Sequence, residues 1–401
     1  MALLDDERNC SRTALTRKLT LDGVTMTYPV YAINLDKLFY NDQNDRIATW
    51  ISEYRADHNG HSPDPTEREA YNEIIEDFIV KSNHDAIRKT QTNIELVNQR
   101  EPGVVLNDGR IIDGNRRFTC LRRLFKEGKQ NFARFEAIIL DRDIQNDQKQ
   151  IKMLELSIQH GEESKVEYNP VDRLAGIYND IIDSRLLTEE EYARCANESV
   201  SDVRRRVEVA ELMVEFLDFI NAPKQFHIAR DLQIYYPIEE LAKAIKICKS
   251  KDDVEDLKTC CFSNILMQPY SDMTRYIRNI KGIVSSAQKE EFFREQNEIA
   301  DRVVRLLPAE GSVNSQIIRD TIRSNNSLVE EMNRSMEKAK TKAQRGVART
   351  QPISLAEKAA DVLESVDQNI FEKMNVLERK HLSEQLARLE FTIAEMKGKL
   401  Q

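Results

Sequence analysis

Four arginines fall within eight residues near the middle of the N-terminal half: Arg116, Arg117, Arg122 and Arg123 in DGRIIDGNRRFTCLRRL, Asp108–Leu124. Arg116 and Arg117 directly follow Gly114-Asn115, where the pattern changes from a short β-run to a helical one. Such a corner suits an anion. A helix N-terminus offers N–H groups without intrahelical acceptors and the positive end of a dipole. Guanidinium forks add charge and paired donors at the same place, and a glycine lets a ligand approach the backbone. The expected chemistry is the binding of phosphate, as a nucleotide or a nucleic-acid backbone, through Gly114, Asn115, Arg116 and Arg117.

A second constellation is TEEEYARCANESVSDVRRRVEVAELM, Thr188–Met213. Thr188 and Glu191 stand at capping-box spacing. Ala193, Ala196, Val203 and Val207 fall where a helix-turn-helix buries small and branched residues, with Asn197 in the turn at a position that tolerates positive φ. The second helix starts near Ser199 and would present Ser199, Ser201, Arg204 and Arg205 to DNA phosphates and guanines. Because each residue advances about 100°, Arg204, Arg205 and Arg206 cannot all face one groove. Asp202 and the Glu189–Glu191 run oppose that role.

The elements that must position these groups are readable in outline. Residues 1–27 are mixed and polar and read as an arm. Tyr28–Leu38 reads as a strand, Glu67–Ile94 as a helix, and Val104–Leu106 and Arg110–Ile112 as a hairpin about Asp108-Gly109. A helix from Asn115 to Glu127, a strand Phe135–Leu140 and a helix Gln145–Gln159 complete an α/β domain over 28–168. Asn169-Pro170 marks a boundary. Beyond it every strong pattern is helical: the DNA-binding candidate over 169–222, then a helical domain over 223–349, broken near Pro223, Pro237, Pro269 and Pro308. Arg334–Arg349 reads as a basic helix end and linker. Over 353–401, Leu382, Leu386, Leu389, Ile393, Met396 and Leu400 repeat at spacings of 4, 3, 4, 3 and 4, with Leu355, Ala359, Val362 and Val366 before them, a coiled-coil pattern that fits dimerisation.

Bulk properties bound the class. The chain has 401 residues, 32% charged and 40% hydrophobic, with 12 glycines and 10 prolines, as expected of a mainly helical protein with several cores. No apolar run reaches the ~18 residues of a membrane span, and the N-terminus lacks the apolar stretch of a secretory signal. The six cysteines are scattered, with no CxxC pair, so neither a zinc site nor a disulfide frame is expected and a reduced, cytoplasmic setting is. The net charge of −9 argues against non-specific coating of DNA, so any DNA contact must be local.

DGNRRFTCLRRL resembles the phosphate-binding motif of ParB-type partition proteins, which share the ParB/sulfiredoxin fold. Leu35–Arg46 (LDKLFYNDQNDR) is similar to that family's early strand, which ends in a polar turn and an arginine. Leu154–Ile177 (LELSIQHGEESKVEYNPVDRLAGI) resembles the helix and Asn-Pro turn of its second nucleotide motif. The resemblance spans roughly residues 28–215. It implies an α+β N-terminal domain of that fold, followed by a mainly helical region with a helix-turn-helix. It also implies a nucleoside triphosphate (CTP or ATP) held by Arg46, Gly114, Asn115, Arg116, Arg117 and Gln159, with DNA and a second copy of the chain as partners.

The departures matter. Asn115 stands where the partition CTPases place Glu, and their Glu-Asn-x-Gln-Arg reads Leu156, Ser157, Ile158, Gln159, His160. Ser157 replaces the amide that helps hold Mg²⁺ and is a poorer ligand for a hard cation. Nucleotide binding survives this comparison; Mg²⁺-assisted hydrolysis loses its residues. His160 reads as a structural histidine. Cys120 reads as core, since it follows the arginines instead of preceding them as in sulfiredoxins.

The leading expectation is a nucleotide-responsive DNA-binding protein, serving partition, a mobile element or phage defence. An enzyme on the same fold, a nuclease or phosphotransferase, would draw on Asp113, Glu155 and Glu162 or Glu163. A non-enzymatic adaptor would bind a protein through residues 223–345.

Overall fold

The computed structural model describes residues 3–5, 8–21, 23–144, 146–161 and 169–400. The chain divides into two units, 1–340 and 341–401. In the first, an N-terminal five-stranded sheet is followed by many helices.

The segment read as a polar arm is a strand instead. β1 (Cys10–Leu21) pairs antiparallel with β2 (Val24–Asn34) from Cys10–Ile33 to Leu21–Val24, with an irregularity between Arg12 and Thr16. Its interior carries alternating Thr, Arg and Lys, and only its Cys10 and Leu19 side chains are buried, so composition hid a strand that backbone pairing holds. β2 pairs with β5 (Arg134–Leu140), which lies parallel to β3 (Gly103–Leu106). β3 turns back into β4 (Ile111–Asp113), giving the order β1-β2-β5-β3-β4. The parallel pair needs a crossover, and α4 (Asn115–Lys126) supplies it.

Alternation along the central strands divides the sheet between two cores. Val105, Phe135 and Ala137 face α1 (Ala48–Asp57), α2 (Arg68–Ser82), α3 (His84–Val97) and α4. Val104, Leu106, Ile138 and Leu140 face the other way, onto Ile151, Leu154 and Ile158 of α5 (Gln148–Gly161). The single helix expected over Glu67–Ile94 is two. Asn83 leaves helical geometry at ψ 81°, and its side chain caps α3 by accepting from the Ala86 N–H.

Asn169-Pro170 opens α6 (Pro170–Ile177), with Asn169 as cap and proline in the first turn, and a π turn, Tyr178–Asp183, continues it. α7 (Glu189–Ala196) carries the Thr188–Glu191 capping box and ends at Asn197 with φ 53°. Ser199 caps α8 (Val200–Phe219). Further helices α9 (Phe226–Asp231), α10 (Tyr235–Ile245), α11 (Lys251–Met267), α12 (Met273–Val284) and α13 (Lys289–Val304) share one apolar core with α6 to α8. The single turn α14 (Ser315–Ile317) follows.

The expected linker over Arg334–Arg349 is not a break: it lies inside the 39-residue α15 (Asn326–Glu364). Its lysines and arginines are good helix formers, and basic composition alone does not end a helix. In the second unit, the rest of α15 is followed by α16 (Val376–Leu400), whose Leu386, Leu389, Ile393, Met396 and Leu400 are exposed. No described helix is long and apolar enough to cross a membrane.

Candidate anion-binding site

The Gly114 corner is made by packing as much as by turning. Gly114 has φ 103°, a left-handed conformation that glycine takes at little cost. A Cβ there would lie 2.8 Å from Phe135 Cζ and 3.2 Å from Arg117 Nη2. The space read from the sequence as room for a ligand therefore holds the Phe135 ring and the Arg117 guanidinium. The glycine lets β4, β5 and α4 meet, and lays Arg117 across the corner.

Around it, Arg46, Gly114, Asn115, Arg116, Arg117 and Gln159 line one cavity of about 180 Å³, together with Asn44, Thr90, Ile112 and Asp113. All six residues assigned to phosphate from the sequence thus converge, although α5 and the Asn44–Arg46 turn are far from the corner in sequence. Three guanidinium groups meet one carboxylate in this lining. Asp113 is claimed twice: by Arg117 Nη2 at 3.0 Å and by Arg17 Nη1 at 2.9 Å. Arg17 was missed in the sequence because it lies in β1, and only the strand pairing brings it here. The positive excess stands out in a chain of net charge −9.

Two polar atoms of the lining, Arg117 Nε and Asn115 Oδ1, are buried without a hydrogen-bond partner. A buried donor left unmet costs about 1–3 kcal/mol, and an acceptor entering beside Arg117 would recover it. Gly114 brings no side-chain cap to α4, so the helix's positive end forms the same wall.

The other two arginines are held elsewhere. Arg122 is buried against α2, bonded to Glu76 at 2.8 Å and Glu69 at 2.9 Å, and Arg123 bonds Gln91 of α3 at 3.1 Å. Arg122, six residues after Arg116, points to a different face, whereas Arg123, seven residues after it, returns to nearly the face of Arg116 two turns further along the helix. Cys120 Sγ lies 3.5 Å from the Ile87 carbonyl, and burial pushes its thiol up to about 12, so it stays a core thiol at neutral pH.

Behind the cavity, Gln159 Nε2 donates to Glu155 Oε1 at 2.9 Å. Glu155 belongs to a buried charge cluster centred on Lys152, whose Nζ lies 2.6 Å from Asp45, 3.3 Å from Asp180 and 3.8 Å from Glu155. Burial raises Glu155 to about 8 and Asp180 to about 7, each partly offset by Lys152. Burial pulls the Lys152 ammonium down, but the three carboxylates outweigh it and hold it above its ordinary value. Asp45, Lys152 and Asp180 also line a larger cavity of about 660 Å³, bounded by residues 42–60 on one side and by Asn179–Leu186 and Pro223–Phe226 on the other.

The acids considered for catalysis are not brought together. Asp113 is held by Arg17 and Arg117, and Glu155 by Gln159 and its cluster. Glu162, Glu163 and the His160 side chain lie outside the described residues. Ser157 Oγ bonds back to the Leu154 carbonyl at 2.8 Å. Among the described residues, no group of three or more His, Cys, Asp or Glu side chains is placed to hold a metal ion.

At the α7–α8 corner, Ser199, Ser201, Arg204 and Arg205 do share an exposed surface, but acids occupy it with them. Arg204 Nε is 2.6 Å from Glu189 and its Nη2 is 3.0 Å from Glu190; Arg205 is 3.3 Å from Asp202. Ser199 Oγ bonds Ser201 Oγ and Asp202 while capping α8. Arg206 and Arg173 both pair with Glu198.

No family model matches this chain, and no curated protein matches it in sequence.

Proposed function

We propose that the corner cavity binds the phosphate groups of a nucleoside triphosphate, CTP or ATP, in a ParB-like nucleotide-responsive protein. The observation that carries this is the lining: the side chains of Arg46, Arg116 and Arg117 gathered in one cavity, with the buried Arg117 Nε unbonded, at an uncapped helix start. A cavity of about 180 Å³ is below the ~300 Å³ at which pockets envelop a drug-sized ligand, so it takes phosphates and leaves sugar and base at its mouth. The order of hairpin, corner, helix, strand and helix, with the α7–α8 pair after Asn169-Pro170, agrees with the resemblance in the sequence.

In this reading DNA meets the α8 start, and two copies associate through the exposed α16 stripe. Hydrolysis has no support from the placement of Asp113, Glu155 and Ser157, and the reading is one of binding. The test is thermal stabilisation by CTP, ATP, ADP and GTP, each with and without duplex DNA, since a ligand of the native state raises stability logarithmically with concentration. A nucleotide-dependent rise in Tm that disappears in Arg116→Ala/Arg117→Ala supports the reading. No rise with any nucleotide rejects it.

A further inference from the structure

The corner cavity and the Lys152 cluster are two sides of one wall. Asn44 borders both cavities, and its neighbours part company: Arg46 lines the corner cavity, while Asp45 lines the larger one and pairs with Lys152. Along α5 the same division recurs. Gln159 lines the corner cavity, and one turn earlier Glu155 receives its amide and faces Lys152. Among the described residues the cluster is short of positive charge, with Asp45, Glu155 and Asp180 around the Lys152 ammonium, and all four side chains are at least nine-tenths buried.

Burying carboxylates beyond the available cation is costly, and a proton is the relief within reach. Resting on the anion-site reading above, we propose that anion binding in the corner cavity is linked to proton uptake by the Glu155 cluster, so that anions bind more weakly as pH rises. An anion beside Gln159 adds negative charge next to Glu155 and favours its protonated form. By linkage, the protonated form favours the anion to the same degree.

The other charged groups around Glu155 set the window. Lys152 shares its helix; Asp45 comes from the turn before α1, and Asp180 from the π turn. Asn41 reaches Glu155 Oε2 at 3.5 Å. From α7, Tyr192 faces the cluster with its hydroxyl buried and unbonded, and Glu191 pairs outward with Lys149 at 2.6 Å. From α6, Arg173 is taken by Glu198, and from β4, Asp113 is taken by Arg17 and Arg117. Guanidinium groups keep their charge throughout. Glu155, raised to about 8, is the group that changes charge in the window, after Asp180 at about 7.

The sign follows directly. At the lower end of the window the proton is in place and the anion binds at full strength. Above it, binding must either draw in a proton or tolerate the ionised carboxylate. The test uses sulfate, which stays a dianion across the window, titrated calorimetrically between pH 7.5 and 9.5 in buffers of differing ionisation enthalpy. The wild type is expected to lose affinity about tenfold over the window and to take up protons on binding, whereas Glu155→Gln varies less than about twofold and His160→Gln behaves as wild type. Sulfate binding of equal strength at both ends in the wild type overturns the linkage and leaves the anion site standing. No sulfate binding at any pH overturns both. The wild-type profile decides the matter even if Glu155→Gln fails to fold.

Discussion

The α4 and α8 corners both place arginines at a helix start, yet they end in opposite electrostatic states. At α4, the guanidinium groups of Arg46, Arg116 and Arg117 line one cavity with Asp113, which Arg117 shares with Arg17. At α8, Arg204 meets Glu189 and Glu190, Arg205 meets Asp202, and Arg206 shares Glu198 with Arg173. A count of arginines does not separate the two; their nearest acids do. Exposed pairs such as Arg204–Glu189 contribute little stability, but the acids stay beside any phosphate that displaces them. The first arrangement suits the proposed anion site, whereas at the second a phosphate competes with the acids already in place.

The sharpest way to break this comparison is to remove the unbalanced charge. Arg116→Ala/Arg117→Ala is expected to weaken triphosphate binding about 100-fold or more in a calorimetric titration, whereas Arg204→Ala/Arg205→Ala changes it less than about twofold. Arg122→Ala separates the structural arginine from the binding ones on the same helix. It leaves Glu76 buried without its partner and is expected to cost about 3 kcal/mol in denaturant unfolding, with anion affinity of the folded protein retained.

Gly114→Ala tests whether the corner is a packing device. Positive φ and the approach of Phe135 together are expected to cost about 1–3 kcal/mol, read as a lower unfolding midpoint. A stability near wild type would mean that Phe135 moves aside freely.

The acids behind the site give a pH signature of their own. Glu155, Asp180 and Asp172, all raised mainly by burial, to about 8, 7 and 6, have folded pKa values above their unfolded ones near ~4. The native state therefore holds more protons, and stability is lost as pH rises from about 4 to about 8. Tm is expected to fall by about 3–6 °C between pH 5.5 and 8.5, with a shallower slope in Glu155→Gln. The smallest effect sharpens the comparison from the other side. Glu189→Gln/Glu190→Gln frees Arg204 and is expected to strengthen duplex binding about threefold at low salt, measured by fluorescence anisotropy.

Much of this was legible in the chain alone, because it depends on neighbours in sequence. The Asp108-Gly109 turn, the Gly114 corner, the Thr188–Glu191 capping box, Asn197 at positive φ and the Asn169-Pro170 helix start are all short-range backbone chemistry. The six residues that line the corner cavity were also grouped from sequence, through a resemblance that set Arg46 and Gln159 beside the Gly114 corner. What sequence alone misread were features decided at a distance. β1 looked like a polar arm because hydrogen bonding to β2, not burial, makes it a strand. One local signal was missed as well: the Glu67–Ile94 pattern concealed a break where Asn83 turns the chain and caps the next helix.

Only the tertiary structure decided which charges cancel. Pairing of β1 brings Arg17 to Asp113; α2 takes Arg122 out of solvent; α7 sets its acids on the arginines of α8. α5 lays Glu155 and Lys152 against Asp45 and Asp180, which belong to separate parts of the chain. Charge in a sequence is a list of signs, and Coulomb energy depends on distance and burial. The fold supplies both.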